Sequence, residues 1–238
     1  MTTIADSETR ALERAAGLKL AAYRDAHVAE RVRRALVRER VGDANELARL
    51  LTRDPEARSR FRRSIAISVS GLFRDREQFE LLERELLPPL VAAGRRIHVW
   101  SVGCADGSEL YSVAVVLGRL GALERSFLLG SDVLEENLEL ARRGAYDGFE
   151  VAPAHRARVR FEQRDLLLDG PPRGKWSLVL CRNVAIYLAP RPKRALHALL
   201  AESLARDGLL MLGSSERIAD ARALGMQPVA PHVYRKVV

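Results

Sequence analysis

The sequence is poor in several features that mark particular classes of protein. Its two cysteines, Cys104 and Cys181, form no Cys-x-x-Cys pair, so a disulfide framework and a zinc cage are both poorly supported. No run of about 18 apolar residues is present to cross a membrane as a helix. The first ten residues carry acidic side chains and no apolar signal segment. These absences predict a cytoplasmic protein that does not insert into a membrane.

Aromatic residues are also scarce, at 5% of the 238 residues, which is too few for a platform that stacks on nucleic-acid bases. The 39 basic residues include only four lysines, and the formal net charge is +8. Such a charge indicates an anionic partner, although an arginine-rich composition also follows from a GC-rich genome. Composition alone does not choose between an acidic protein and a nucleic acid.

Hydrophobic spacing divides the chain into a helical front and a mixed remainder. Helical periodicity is present over 11–24, 26–41 and 44–52. Another helix is predicted to start at Asp54-Pro55, because proline fits the first helical turn. No strand pattern precedes residue 95, and a bridge containing Pro88, Pro89 and Gly94 lies just before it. We therefore predict a small all-α domain over 1–87, a linker over 88–95 and a second domain over 96–238.

The second domain alternates short β-rich runs with helical segments. The predicted strands are 97–102, 127–131, 159–162, 178–181, 209–212 and 232–237. This alternation predicts an α/β fold with a doubly wound, mostly parallel sheet and helices on both faces. The short connection before the last strand allows the final strands to be antiparallel.

A glycine-containing turn follows the first predicted strand. Three residues separate Gly103 from Gly107, unlike the Gly-x-Gly-x-x-Gly pattern that binds a pyrophosphate. Glycine at a strand end lets the backbone approach a ligand closely, which suits a nucleoside-like cofactor without phosphates, such as S-adenosylmethionine (SAM). The alternative is an ordinary strand-to-helix turn in which Asp106 and Glu109 form a capping box.

An acid, Asp132, ends the second predicted strand. A carboxylate at this place can accept hydrogen bonds from both ribose hydroxyls. Its alternative role is to cap the helix that follows, which is common for aspartate.

Three segments form longer motifs: Ser-Val-Ser-Gly-Leu-Phe-Arg-Asp at 68–75, Gly-Cys-Ala-Asp-Gly-Ser-Glu-Leu-Tyr-Ser at 103–112, and Cys-Arg-Asn-Val-Ala-Ile-Tyr at 181–187. Together they resemble the motifs of the chemotaxis receptor methyltransferases, which are SAM-dependent protein-glutamate O-methyltransferases. The third motif, after a hydrophobic strand, is the most specific. The resemblance extends from about Val28 to Tyr234, and it implies the Rossmann-like methyltransferase fold behind a helical N-terminal domain.

The resemblance also implies roles for individual residues. The implied cofactor contacts are Ser68, Ser70, Arg74, Gly103, Glu109, Asp132, Asp165, Leu166, Cys181, Arg182 and Asn183. Glu109 would hold the methionine amino group and Asp132 the ribose, while Asp165 and Leu166 would flank the adenine. Arg74 and Tyr187 would lie nearest the transferred methyl group as catalytic residues. Taken alone, Arg74 also fits a solvated charge, and Tyr187 also fits core packing.

The sequence departs from the family pattern at two places that concern the substrate. Ser68 and Ser70 stand where the family has longer Asn and Thr side chains. Between Tyr146 and Arg160, about a dozen residues replace a three-stranded insert that docks a receptor's C-terminal peptide, which is too few for three strands. We expect this docking mode to be absent.

Recognition would then depend on the basic N-terminal helices, above all residues 30–40. This segment contains Arg31, Arg33, Arg34, Arg38 and Arg40. The resemblance implies an acidic helical chemoreceptor as partner, which a basic helix would attract. The alternative is a solvated face neutralised in part by Glu30 and Glu39.

The expected function is methyl transfer from SAM to glutamate side chains of a chemoreceptor or related signalling protein, by a monomeric enzyme that releases S-adenosylhomocysteine. A glutamate is ionised at neutral pH, so positioning matters more than a strong base. One alternative is a catalytically weak SAM-binding scaffold, suggested by Ser68 and Ser70. Another is a methyltransferase for nucleic acid or a small molecule, suggested by the positive charge.

Overall fold

A computed structural model describes residues 5–66, 71–146 and 149–237. The chain divides into two compact units, Met1–Ser68 with Tyr187–Ala195, and Val69–Ile186 with Leu196–Val238. The linker predicted over 88–95 lies inside the second unit. The physical reason is burial: Phe79, Leu82 and Leu87 belong to the same apolar core as the strands of that unit.

The described residues of the first unit form helices joined by loops, with one antiparallel β-bridge between Tyr23 and Leu188. Its helices are α1 (Asp6–Ala16), α2 (Asp25–Glu39), α3 (Ala44–Arg53) and α4 (Pro55–Ile65), with a 3₁₀ turn at Leu20–Ala22. Their apolar stripes bury Leu12, Val32, Leu47 and Phe61 completely or almost completely.

Two features of the first unit follow from local residue chemistry. Asp54 starts α4, and its carboxylate accepts from the backbone N–H groups of Glu56 and Ala57. The prediction of one helix over 11–24 is wrong in its bounds: α1 covers Asp6–Ala16, because Gly17 adopts a left-handed conformation (φ 63°) and ends it.

The second unit is built on a seven-stranded sheet, counted over its described residues. The strands are β1 (Ile97–Val102), β2 (Ser126–Asp132), β5 (Val159–Gln163), β6 (Trp176–Cys181), β7 (Leu204–Leu212), β8 (Met226–Ala230) and β9 (Val233–Lys236). Their order is β5-β2-β1-β6-β7-β9-β8. The first five in this order are parallel, β9 is antiparallel to β7, and β8 is antiparallel to β9. The predicted doubly wound, mostly parallel fold is confirmed.

Helices of the second unit connect these strands. They are α5 (Arg76–Leu81), a π-helical turn (Leu82–Leu86), α6 (Leu87–Ala92), α7 (Ser108–Arg119), α8 (Glu135–Arg143), α9 (Pro153–Arg156), α10 (Leu166–Asp169) and α11 (Pro190–Ser203), whose first turns belong to the first unit. The core between sheet and helices contains Val99, Leu110, Leu128, Leu180 and Met211, all inaccessible to solvent. No helix in the described ranges is both long enough and apolar enough to span a bilayer.

The region that the resemblance links to receptor-peptide docking is small in this structure. It contains two strands of two residues each, β3 (Ala145–Tyr146) and β4 (Phe149–Glu150), paired antiparallel. The helix α9 follows directly. The described residues thus hold two short paired strands at this place.

Candidate functional site

The turn after β1 requires glycine at two positions. Gly103 (φ 63°) and Gly107 (φ 79°) are both left-handed. A Cβ on Gly103 would lie 2.8 Å from Val184, and one on Gly107 would lie 2.8 Å from the ring of Phe161. The glycines therefore allow this turn to lie against the β6 loop on one side and against β5 on the other.

The capping box considered for this turn does not form. Asp106 Oδ1 accepts from the Ser108 N–H (3.1 Å) at the start of α7, but Glu109 does not return to the turn. Instead, its carboxylate accepts from Ser101 Oγ (2.8 Å) and from Arg182 Nη1 (3.1 Å). Burial raises the pKa of Glu109, and the positive charge of Arg182 opposes that rise.

Arg182 is the most heavily bonded side chain of this site, and only 3% of it is exposed. Its nitrogens donate to Gln78 Oε1 (3.0 Å), Glu109 Oε2 (3.1 Å), the Arg74 carbonyl (2.9 Å) and Asp75 Oδ2. Its guanidinium also lies over the ring of Phe79, 5.4 Å from the centroid. One buried cation therefore connects the end of β6, the start of α7 and the segment before α5.

The backbone around Arg74 is held in an uncommon conformation. Its neighbours Phe73 (φ 52°) and Asp75 (φ 60°) are both left-handed, which is rare for residues other than glycine. The Phe73 N–H donates to Ser112 Oγ (2.9 Å), and the Gly71 N–H donates to Ser108 Oγ (3.0 Å). Two buried serines of α7 and the guanidinium of Arg182 thus fix the place of Arg74 in the second unit.

Asp132 is 6% exposed at the end of β2, and its carboxylate binds both neighbouring loops. It accepts from the N–H of Ala105 (2.9 Å), the N–H of Leu134 (2.9 Å) and Asn137 Nδ2 (3.2 Å). Burial raises its pKa, and these hydrogen bonds oppose the rise. Asp132 therefore fastens the glycine turn to the loop before α8, a role beyond either sequence interpretation.

Asp165 and Leu166 lie at the start of α10. The Asp165 carboxylate accepts from the Leu167 N–H (2.9 Å), and its own N–H donates to Asp169 Oδ2 (2.9 Å). Asp165 is therefore an N-cap in this structure, and both it and Leu166 are half-buried.

The loop after β6 depends on an acid to which the sequence analysis gave no role. Glu216 is fully buried and accepts from the N–H groups of Asn183 (2.6 Å), Ala185 (2.9 Å) and Gly213 (3.0 Å). Asn183 itself is left-handed (φ 60°). In the sequence, Glu216 is marked only by the Gly-Ser-Ser-Glu run at 213–216, which does not indicate that its carboxylate contacts the loop after β6. Cys181, at the end of β6, is completely buried.

Tyr187 lies in the first unit. Its ring contacts that of His27, with 5.0 Å between centroids, and its carbonyl accepts from the Arg24 N–H (3.0 Å). His27 Nε2 is 3.0 Å from the Ile65 carbonyl, and burial lowers the pKa of His27. Ser68 and Ser70 lie outside the described residues.

The residues of the second unit fit a nucleoside-like cofactor that carries an ammonium group. Two carboxylates, on the half-buried Glu109 and the buried Asp132, flank a turn in which Gly103 is exposed. Carboxylate oxygens accept hydrogen bonds from ammonium and hydroxyl groups. Within the described ranges, no cluster of three or more His, Cys, Asp or Glu side chains is placed to hold a metal ion.

Comparisons with known proteins identify the family to which this chain is similar. Residues 68–153 and 146–229 match the family model described as CheR methyltransferase, SAM binding domain. A chemotaxis protein methyltransferase of Listeria innocua is 30% identical, over 96% of this chain and 95% of its own length. Chemotaxis protein methyltransferase 1 of Pseudomonas aeruginosa is 28% identical over 87% of each chain. Among solved structures, the magnesium protoporphyrin IX methyltransferase of Synechocystis, with bound SAH, is 20% identical over 69% of each chain, at a TM-score of 0.40.

Proposed function

Because this chain belongs to the CheR methyltransferase family, we propose that it methylates glutamate side chains of a chemoreceptor-like protein. Family membership confirms the resemblance that the three motifs indicated. The matched model is the SAM binding domain of that family, so SAM is the cofactor, as expected. The chain is thus a SAM-dependent methyltransferase of the chemotaxis type, and the proposal adds the acceptor group and the partner.

The observation that carries the proposal is the network around Arg182. This side chain binds both the Glu109 carboxylate and the backbone at Arg74. In the proposal, Glu109 accepts from the amino group of the cofactor, and Asp132 accepts from its ribose. The guanidinium of Arg74 then orients the acceptor carboxylate through a charge-assisted hydrogen bond.

For this methyl transfer, the protein mainly has to align the acceptor carboxylate with the methyl group of SAM. SAM supplies a methyl group on a positively charged sulfur, and its transfer to a carboxylate gives a methyl ester and S-adenosylhomocysteine. The acceptor glutamate is already ionised at neutral pH, so the protein needs no strong base. Burial raises the pKa of both cysteine thiols well above their usual range, so neither Cys104 nor Cys181 provides a thiolate. Alignment and exclusion of water remain as the tasks of these residues.

For the partner, we propose the exposed face of α2. Its charges are neutralised in part, as the alternative interpretation held: Arg33 and Arg34 pair with Glu30, and Arg38 pairs with Glu39. The same face exposes 73% of Val37, one residue before Arg38 and three residues after Arg34. In an interface with an acidic helical bundle, Val37 would be removed from water while the neighbouring arginines would attract acidic side chains.

The decisive experiment incubates the chain with a chemoreceptor cytoplasmic fragment and methyl-labelled SAM. We expect label on the receptor that base releases as methanol, since methyl esters hydrolyse in base. Arg74→Ala should lower this transfer by at least about a hundredfold, because alignment contributes strongly to such reactions. The matched control is Arg76→Ala, which removes a largely exposed arginine paired with Glu80.

Each contrary result has a definite meaning. SAM binding in calorimetry without any label on the receptor would favour the scaffold function. Base-stable label on RNA, DNA or a small molecule would replace the glutamate ester with another acceptor. Wild-type transfer by Arg74→Ala would remove Arg74 from the site.

A further inference from the structure

A second cleft lies at the opposite end of the sheet from the glycine turn, within the second unit. Its volume is about 620 Å³, and residues at the amino ends of β1 and β6 line it, together with parts of α6, β7 and β9. Strand β1 runs from Ile97 in this cleft to the turn at Gly103, roughly 20 Å away at about 3.3 Å per residue. The cleft is therefore separate from the residues assigned to SAM.

The charges around this cleft are almost all positive. Its basic residues are Arg95, Arg96, His98, Lys175, Arg206 and Arg235, and Asp207 is its one acid. Elsewhere in the second unit, Arg119, Arg142 and Arg164 each form an ion pair with a glutamate. In the described part of the chain, none of the four cleft arginines has a carboxylate partner within 4.0 Å. Concave surfaces that collect one sign of charge concentrate ions of the opposite sign.

The lining of the cleft also includes accessible apolar side chains. Pro89 and Ala93 are exposed and Leu90 is half-buried, whereas Leu86, Ile97 and Leu209 are buried. Lys175 Nζ also donates to the Glu202 carbonyl, which holds its positive charge beside the cleft. The site therefore offers cations to one end of a ligand and apolar contact to the other, at a volume typical of small-molecule sites.

We propose that this cleft binds a phosphorylated small molecule with an apolar or aromatic moiety, the chemical class of nucleotides. Guanidinium groups match phosphate oxygens through paired, charge-assisted hydrogen bonds. Arginines from three separate segments, with Lys175 from a fourth, surround one concavity, which suits a ligand with several negative charges close together. An acidic peptide, whose charges are spread along its length, would fit a row of cations better.

The test is isothermal titration calorimetry of the full chain with ATP, inorganic pyrophosphate and adenosine. Saturating S-adenosylhomocysteine is present throughout, so that the adenine moiety does not report on the first site. We expect ATP and pyrophosphate to bind, with affinity falling as salt rises, and adenosine to bind far more weakly. The double variant Arg96→Gln/Arg235→Gln should weaken ATP binding by at least about tenfold, since it removes two cations that would form charge-assisted hydrogen bonds with the phosphates.

The control Arg143→Gln/Arg222→Gln removes the same charge from two exposed positions outside the cleft and should bind ATP as the unaltered chain does. Thermal unfolding of both variants verifies that they are folded. The proposal is overturned if ATP does not bind at millimolar concentration, or if the cleft variant binds like the control. It is overturned as well if adenosine binds as tightly as ATP, or if only a long oligonucleotide binds. None of these results depends on methyl transfer.

Discussion

Replacing Arg182 by methionine tests the network on which the proposed site rests. The substitution keeps an apolar stem against Phe79 but removes all four hydrogen bonds and the positive charge. Asp75 is about one-third exposed and can regain water, whereas the Glu109 side chain is only 17% exposed. Breaking a buried ion pair at one partner costs about 3–5 kcal/mol, mainly for the charge left behind. We expect a loss of this size in the free energy of unfolding.

The second variant in the series is Arg182→Met/Glu109→Gln. The added substitution removes the stranded charge and keeps a group that can accept from Ser101 Oγ. The double variant should therefore be more stable than the sum of the two single losses predicts, by on the order of 1–3 kcal/mol. Urea unfolding followed by fluorescence of the two tryptophans measures each loss. Arg142→Met, which breaks an ion pair of half-exposed side chains with Glu135, should cost less than about 1 kcal/mol.

The pH dependence of the stability lost in Arg182→Met gives an independent check. A carboxyl whose pKa is raised by folding binds its proton more tightly in the folded state. Its contribution to stability therefore falls as pH rises from its pKa in the unfolded state to its pKa in the folded state. Removal of Arg182 should raise the pKa of Glu109 further. The deficit of Arg182→Met should then be small in acid and grow toward neutral pH, and Glu109→Gln should abolish this growth. Additive losses, or a deficit that does not change with pH, would refute the reasoning.

Three further predictions concern single residues. Asp132→Ala should weaken SAM binding and lower stability together, whereas Asp132→Asn, which keeps the shape of the side chain, should cost less stability; calorimetry and urea unfolding separate the effects. Glu216→Ala should cost more than about 3 kcal/mol in urea unfolding, because three N–H groups, two of them buried and one partly buried, lose their acceptor at about 1–3 kcal/mol each; a loss below about 1 kcal/mol would contradict the assigned role. Cys104 and Cys181 should resist a thiol reagent in the folded protein at neutral pH and react after unfolding, because burial raises both pKa values; rapid labelling of the folded chain would contradict their burial.

Strands could be predicted from the sequence where a local residue pattern determines the structure. The prediction for β1 matches the observed Ile97–Val102, because β-branched and aromatic residues lead directly into Gly103. Strand β8 was not predicted, since its middle residue is Pro228 and the exposed pair Gln227-Pro228 interrupts the apolar pattern. Proline is tolerated there because β8 lies at the edge of the sheet.

The predicted linker shows how a local signal is overruled by packing. Pro88 and Pro89 suggested a break, but the chain is helical without interruption from α5 through the π-helical turn to α6, and both prolines lie within this stretch. The deciding contribution is the burial of Leu82, Leu86 and Leu87 in the core of the second unit. Such burial depends on distant strands and has no local pattern.

The partners of the site residues were also out of reach of local reasoning. Arg182 was expected to face the cofactor, yet the acceptors of its guanidinium include Gln78 and Asp75, which are more than 100 positions away in the sequence. Ser108 was assigned no role beyond its place in the second motif, yet its hydroxyl accepts from the Gly71 N–H. A motif identifies residue types, while the pairs that fix their geometry come from the topology of the sheet.

The electrostatic state of Glu109 explains why this network suits a cationic group. The charges of Arg182 and Arg74 both act to lower its pKa, yet burial outweighs them and the pKa remains raised. A carboxylate in this condition is ionised at a cost that its present partners do not fully offset. A further positive group at its oxygens would reduce that cost, and an ammonium offers three donors for the purpose. Part of the affinity for such a ligand would then come from relief of this cost, and the same buried cation that holds Glu109 also fixes the backbone of Arg74.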